Sequence, residues 1–276
     1  MSAPAKPWSR LGLLSERPTP PLEDRIIEVL PPAETREQAL VFGDLAWEDF
    51  ERLCRPPARH EPDTEQIQAG PGDARTRIAD AQRPRALFIT CSDSRVNPEV
   101  IMQAEPGELF IQRSAGGMVP PHGTAGGGEA ATIEFALVGL GVREIVVCGH
   151  SDCRAIQALL ADDSIRDSMP AVCAWLGHGE AARRIVRRKY AHLGGADLLN
   201  VAIQHNVLIQ LEHLRTHPAV AAALARGDVT LHGWVYQLET RQVFVYDPQR
   251  GQFGLPTQRP STTIPPLARP TAAQTI

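Results

Sequence analysis

Short apolar runs separated by polar turns dominate the middle of the chain. Ala86-Leu87-Phe88-Ile89-Thr90, Leu109-Phe110-Ile111 and Glu144-Ile145-Val146-Val147-Cys148 each end in turn-forming or polar residues. Such runs predict buried parallel strands. Helical spacing fills the gaps: Pro98 to Gln103, Gly128 to Gly139 with Ala131, Ile133, Phe135, Ala136 and Val138 in line, and Cys153 to Leu160. Two further helices are expected over Leu176 to Ala191 and Asp197 to Arg215, the second carrying Leu198, Val201, Ile203, Val207, Leu208, Leu211 and Leu214. Val229 to Tyr236 and Gln242 to Tyr246 predict a hairpin turning through Glu239 to Arg241. Alternating strand and helix imply an α/β fold, a central mostly parallel sheet flanked by helices on both faces.

The flanks read differently. Residues 1 to about 35 are rich in proline and charge, Arg36 to Leu53 has the spacing of one amphipathic helix, and Cys54 to Gly72 returns to proline, glycine and charge. Pro256 to Ile276 has the same character. The expected organisation is an N-terminal extension over 1–75, a compact domain over 76–254 and a Pro-rich tail over 255–276. With 276 residues, 43% of them hydrophobic, the chain can bury a substantial core.

A net charge of −4 from mixed acidic and basic residues gives no global field for nucleic acid or anionic membrane. No stretch reaches the length of a membrane span. Met1 to Pro21 carries five prolines and no continuous apolar core of a secretory signal. Five cysteines, Cys54, Cys91, Cys148, Cys153 and Cys173, then predict reduced thiols and a cytoplasmic setting.

The candidate chemistry sits where two predicted strands end. Cys91-Ser92-Asp93-Ser94-Arg95 follows the first and His150-Ser151-Asp152-Cys153 follows the third. Loops at the carboxyl ends of neighbouring parallel strands converge on one crevice, so Cys91, His150 and Cys153 can meet around one Zn²⁺. Structural zinc usually has four protein ligands, whereas catalytic zinc keeps three and an open position. Two thiolates cancel the charge of the ion and weaken it as a Lewis acid, so a nearby acceptor that orients the hydroxide gains value. Asp93 is placed for that role, and Arg95 can hold its carboxylate in a bidentate pair. The glycines between Gly116 and Gly128 lack the order of a nucleotide loop and read as a flexible turn entering a helix.

With these residues in place, the chain resembles the β-class carbonic anhydrases from about Gln82 to Pro248. Cys91 to Val96 is similar to the first zinc motif of that class and Cys148 to Cys153 to the second. Pro106 to Phe110, Thr132 to Ala136, Leu140 to Val142 and Leu231 to Trp234 are similar to other family blocks. The resemblance implies reversible hydration of carbon dioxide to bicarbonate and a proton, with hydroxide on zinc as nucleophile and Asp93 with Arg95 as the orienting pair. It also implies a homodimer or higher oligomer whose pockets borrow side chains across the interface. Gln82 would donate to substrate, and Phe110 and Ala115 would form part of the apolar wall.

The chain departs from the family pattern at Ser114, Gly117, Phe135 and Arg154. Those departures keep two alternatives open: a carbonic-anhydrase-like scaffold or regulatory module, and a hydrolase of carbonyl sulfide or carbon disulfide. Gly127 to Glu129, Met169-Pro170, Trp175-Leu176 and Ala182 to Arg184 are most similar to the cyanobacterial, carboxysome-associated branch. That implies a possible carboxysomal location, with a protein partner met through the N-terminal extension.

Overall fold

The computed structural model describes residues 27–30, 82–123, 127–161 and 168–256. The helix expected over Arg36 to Leu53, the stretch from Cys54 to Gly72 and residues 257–276 of the Pro-rich tail lie outside the described residues. β1 (Ala86–Cys91), β2 (Leu109–Ser114), β3 (Glu144–His150) and β4 (Thr230–Gln237) pair in parallel. β5 (Gln242–Asp247) and β6 (Gln252–Gly254) add antiparallel, giving one sheet in the order β2-β1-β3-β4-β5-β6. Every residue of β1 is buried, as its unbroken apolar run requires of a central strand covered on both faces.

The helices are α1 (Pro98–Met102), α2 (Gly128–Glu134), α3 (Arg154–Leu160), α4 (Pro170–Leu176), α5 (Glu180–Lys189), α6 (Gly195–Arg215) and α7 (Pro218–Arg226). α1 starts where Asn97 Oδ1 accepts from Glu99 N (3.0 Å) and Val100 N (3.3 Å) and Pro98 occupies the first turn. α6 covers β3 and β4, and its side chains from Val201 to Leu211 are all buried. The larger core lies on this face, with Leu87, Ile89, Ile145 and Val147 against Val201, Val207 and Leu208. The opposite face packs Phe88, Val146 and Met102 around Trp234, whose ring meets Phe88 edge-on at 6.1 Å.

Two expected helices differ in detail. The helix from Gly128 leaves α geometry at Phe135, and residues Phe135–Gly139 form a π turn in which Leu140 N donates to Phe135 O at 3.0 Å. The helix expected over Leu176 to Ala191 starts later, as α5 at Glu180, and a 3₁₀ turn at Gly177–Gly179 joins it to α4, which was not expected. A Cβ at Gly179 would stand 2.7 Å from Leu159 Cδ2 and 2.8 Å from Met118 Cε, so the break brings backbone against those side chains. Among the described residues no helix is long and apolar enough to cross a membrane.

Candidate metal centre

The parallel register sets the site. Cys91 and Ser114 end β1 and β2 side by side, and Thr90 pairs with Cys148, which places the turn after His150 next to the turn after Cys91. Thr90 Oγ1 donates to Cys148 O at 2.8 Å and locks the two strands together at that end. Cys153 follows a tight turn in which Asp152 takes a left-handed φ of +52°, a conformation that Asp tolerates better than most residues. It then caps α3, so its thiol returns toward Cys91.

One ligand atom from each of Cys91, His150 and Cys153 lies within 4.8 Å of the other two, and all three residues are buried. Cys91 Sγ and Cys153 Sγ are 3.9 Å apart. His150 Nδ1 is 2.8 Å from Ser151 O, which makes Nδ1 the protonated nitrogen and leaves the Nε2 lone pair facing the thiols. Nε2 is buried without a hydrogen-bond partner, as a metal ligand would be.

The two thiols cannot both ionise easily at this distance. The Cys153 thiol donates to Cys91 and holds its pKa well below the usual thiol range against burial. The same contact, together with burial, pushes Cys153 far up. A divalent cation between them removes this conflict. Two sulfurs and one imidazole at tetrahedral spacing therefore fit zinc, which takes Cys and His and accepts three protein ligands.

Asp93 stands beside this trio, its Oδ2 3.9 Å from His150 Nε2. Arg95 grips it from three donors: Nε to Oδ1 at 2.9 Å, Nη2 to Oδ2 at 2.8 Å, and its own backbone N to Oδ1 at 3.0 Å. Arg95 keeps the Asp93 carboxyl well below the ordinary carboxylate range, chiefly through these side-chain bonds. The guanidinium is tethered in turn to Asp152 Oδ2 (3.0 Å) and Asp152 O (3.3 Å), while Gln157 Nε2 holds Asp152 Oδ1 at 2.9 Å.

Arg113 and Asp152 carry no role in the sequence reading, yet both hold the site. Arg113 Nε donates to Cys91 O (3.1 Å), and its Nη2 donates to Asp93 O (2.6 Å) and Val96 O (2.9 Å). One guanidinium thus fixes the whole turn from Cys91 to Val96. An arginine at the carboxyl end of the strand beside the Cys91 strand was the available signal. Gly117 closes the floor: its φ is +62°, and a Cβ there would approach Thr90 C to 3.2 Å and Cys91 N to 3.3 Å.

Three substrate residues were expected as well. Ala115 directly follows Ser114, the register partner of Cys91, and its carbonyl accepts from Trp175 Nε1 at 2.9 Å. Gln82 and Phe110 do not join it within this chain. Gln82 is exposed just ahead of β1, and Phe110 pairs with Leu87, so both stand at the opposite end of the strands from Cys91. Phe110 instead meets Phe135 with ring centroids 6.0 Å apart, and Phe135 is half exposed.

Residues 86–243 match the profile of the family described as carbonic anhydrase. The chain is 48% identical over 183 residues to a carbonic anhydrase of Synechocystis sp., covering 66% of this chain and 67% of that one. It is 50% identical over 170 residues to a carbonic anhydrase of Pseudomonas aeruginosa, covering 62% and 76%. Among solved structures, the β-carbonic anhydrase CcaA superposes with a TM-score of 0.64 at 48% identity, over 65% of this chain and 87% of that one.

Proposed function

Because the chain belongs to the carbonic anhydrase family, in its β class, we propose that Cys91, His150 and Cys153 hold the zinc of this enzyme while Asp93 and Arg95 orient its nucleophile. The reaction is hydration of carbon dioxide. Zinc in this donor set supplies a Lewis acid that makes water more acidic and keeps one coordination position for it.

The chain's own residues do the rest. Asp93, kept ionised by Arg95, can only accept hydrogen bonds, so it takes the hydrogen of the attacking water and leaves an oxygen lone pair for the carbon. Arg95 stops the carboxylate from turning, and Asp152 stops Arg95. Cys91, His150 and Cys153 are themselves buried, which shields the donor set from bulk water. The observation that carries the assignment is a carboxylate clamped by arginine 3.9 Å from the ligand nitrogen of His150.

The position of Gln82 and Phe110 supports a homodimer in which they serve the pocket of a second copy. One solved relative set, 26% identical, is described as two tetrameric β-carbonic anhydrases from Sordaria macrospora. The catalytic domain is taken as residues 76–254, with extensions on either side.

Stopped-flow carbon dioxide hydration on zinc-loaded protein, beside Cys91→Ser and Asp93→Asn, tests the reading. Cys91→Ser should lose metal; Asp93→Asn should retain it and lose rate. Fully zinc-loaded wild-type protein without activity would sink the proposal, and equal metal loss in both variants would contradict the separate roles.

A further inference from the structure

A short stretch of the N-terminal extension, Ile27–Leu30, is docked on the fold. Ile27 and Leu30 are almost fully buried, at 2% and 4% exposure, while Glu28 between them is exposed. Both apolar side chains enter the main core. The backbone of this segment is held almost entirely by side chains of the fold. Ile27 N donates to Tyr190 Oη (2.5 Å), Glu28 N to Gln252 Oε1 (2.9 Å) and Leu30 N to Asn200 Oδ1 (3.2 Å). Asn200 Nδ2 donates back to Leu30 O at 3.3 Å, and Gln204 Nε2 donates to Glu28 O at 3.0 Å. Gln204 also donates to Asn200 Oδ1 at 2.7 Å, which orients the pair.

The spacing explains why two amides on a helix can read a peptide. Asn200 and Gln204 lie one turn apart on the same face of α6, about 6 Å along its axis. Alternate residues of an extended chain are about 6.6 Å apart. Residues 30 and 28 therefore meet 200 and 204 in register, running antiparallel to the helix. Amide side chains offer both a donor and an acceptor, which is what a peptide backbone requires. Pro31 follows Leu30 and biases it toward the extended conformation.

We propose that this face of α6, completed by Tyr190 and Gln252, is a peptide-binding groove that reads the backbone of an extended segment with apolar residues at its first and fourth positions. Its resident ligand is Ile27–Leu30 of this chain. Selectivity resides in the two apolar positions, because the polar contacts go to main-chain atoms.

The test uses the full chain carrying Ile27→Asp and Leu30→Asp, which empties the groove, and a fluorescent peptide with the sequence of residues 24–33. Far-UV circular dichroism and zinc content matching wild type establish that the variant is folded. The peptide should bind it saturably by anisotropy, at least tenfold more tightly than wild type, whose groove is filled. Adding Asn200→Ala and Gln204→Ala should weaken binding at least tenfold. Absence of saturable binding, or binding indifferent to Asn200 and Gln204, overturns the groove; equal binding by wild type overturns the resident ligand. If the aspartate variant does not fold, hydrogen exchange on the wild-type chain decides. The amides of Ile27, Glu28 and Leu30 should exchange at least tenfold faster in Asn200→Ala/Gln204→Ala, and unchanged rates refute the proposal.

Discussion

Replacing Gln210 by leucine should cost more stability than any comparable change of size elsewhere on α6. Gln210 is fully buried and works in two directions. Its Oε1 accepts from Val119 N at 2.8 Å, and its Nε2 donates to Asn206 Oδ1 at 2.9 Å and, more weakly, to His178 O at 3.4 Å. Leucine fills a similar volume but leaves the Val119 N–H and the Asn206 oxygen buried without partners. Each such group costs about 1–3 kcal/mol, so the two short bonds together predict a loss of about 2–6 kcal/mol. That is a large share of a typical total of about 5–15 kcal/mol. The damage should reach the metal centre, since Asn206 Nδ2 holds Gly116 O at 3.0 Å in the loop under Cys91. Urea unfolding at fixed protein and zinc concentration measures the first effect, and zinc retention against a competing chelator measures the second. A midpoint shift equivalent to less than about 1 kcal/mol at unchanged slope would refute the claim that this ladder carries the loop.

Arg113→Lys should keep the three metal ligands but free the turn from Cys91 to Val96, because one ammonium cannot span the three carbonyls that the guanidinium bridges; hydration rate should fall about tenfold or more with zinc content retained. Burial lowers the pKa of His213 despite its contact with Val119 O, and His178, His217 and Glu212 also face it. A folded pKa below the unfolded value of about 6.5 means that its stabilising contribution is present above that pH and is lost as pH falls. Between pH 8 and 5, His213→Gln should lose less stability than wild type, and a steeper loss would contradict the sign. Stripping zinc with dipicolinate should lower the melting temperature and make it depend on zinc concentration, rising by the equivalent of about 2.7 kcal/mol at a hundredfold excess over Kd; a concentration-independent melting temperature would remove the link between folding and the Cys91, His150 and Cys153 donor set.

The centre of the sheet was legible in the sequence because β1 and β3 are buried on both faces. β1 and β3 are continuous apolar runs whose ends fall within two residues of expectation, and the hairpin turn falls at Glu239 to Arg241, where Arg241 adopts a φ of +58°. Helices α4 and α7 were overlooked although Pro170 and Pro218 each occupy a first turn and Gly227 ends α7 in the left-handed region. β6 is three residues long, too short for any periodic signal. The break between α4 and α5 depends on contacts of Gly179 with Leu159 and Met118, partners distant in sequence.

The site divides in the same way. Cys91, His150 and Cys153 could be read from residue type and spacing, because metal chemistry restricts both. The buried amides of α6 could not. Asn206 and Gln210 are polar residues on a helix that is buried nearly all round, and helical periodicity assigns such residues to a solvated face. Their burial follows from the loop after β2, which folds over α6 and needs partners for Gly116 O and Val119 N. Arg113 has the same origin, since three carbonyls of one turn converge on it only after β1 and β2 pair. The proposed ligands and their neighbours thus fall in two short sequence motifs, whereas the residues that hold those motifs are defined by the sheet. Substitutions at Ser114 and Gly117 act on this second group, through the Ser114 Oγ bond to Met118 O at 2.9 Å and the close approach of Gly117 to Cys91 N.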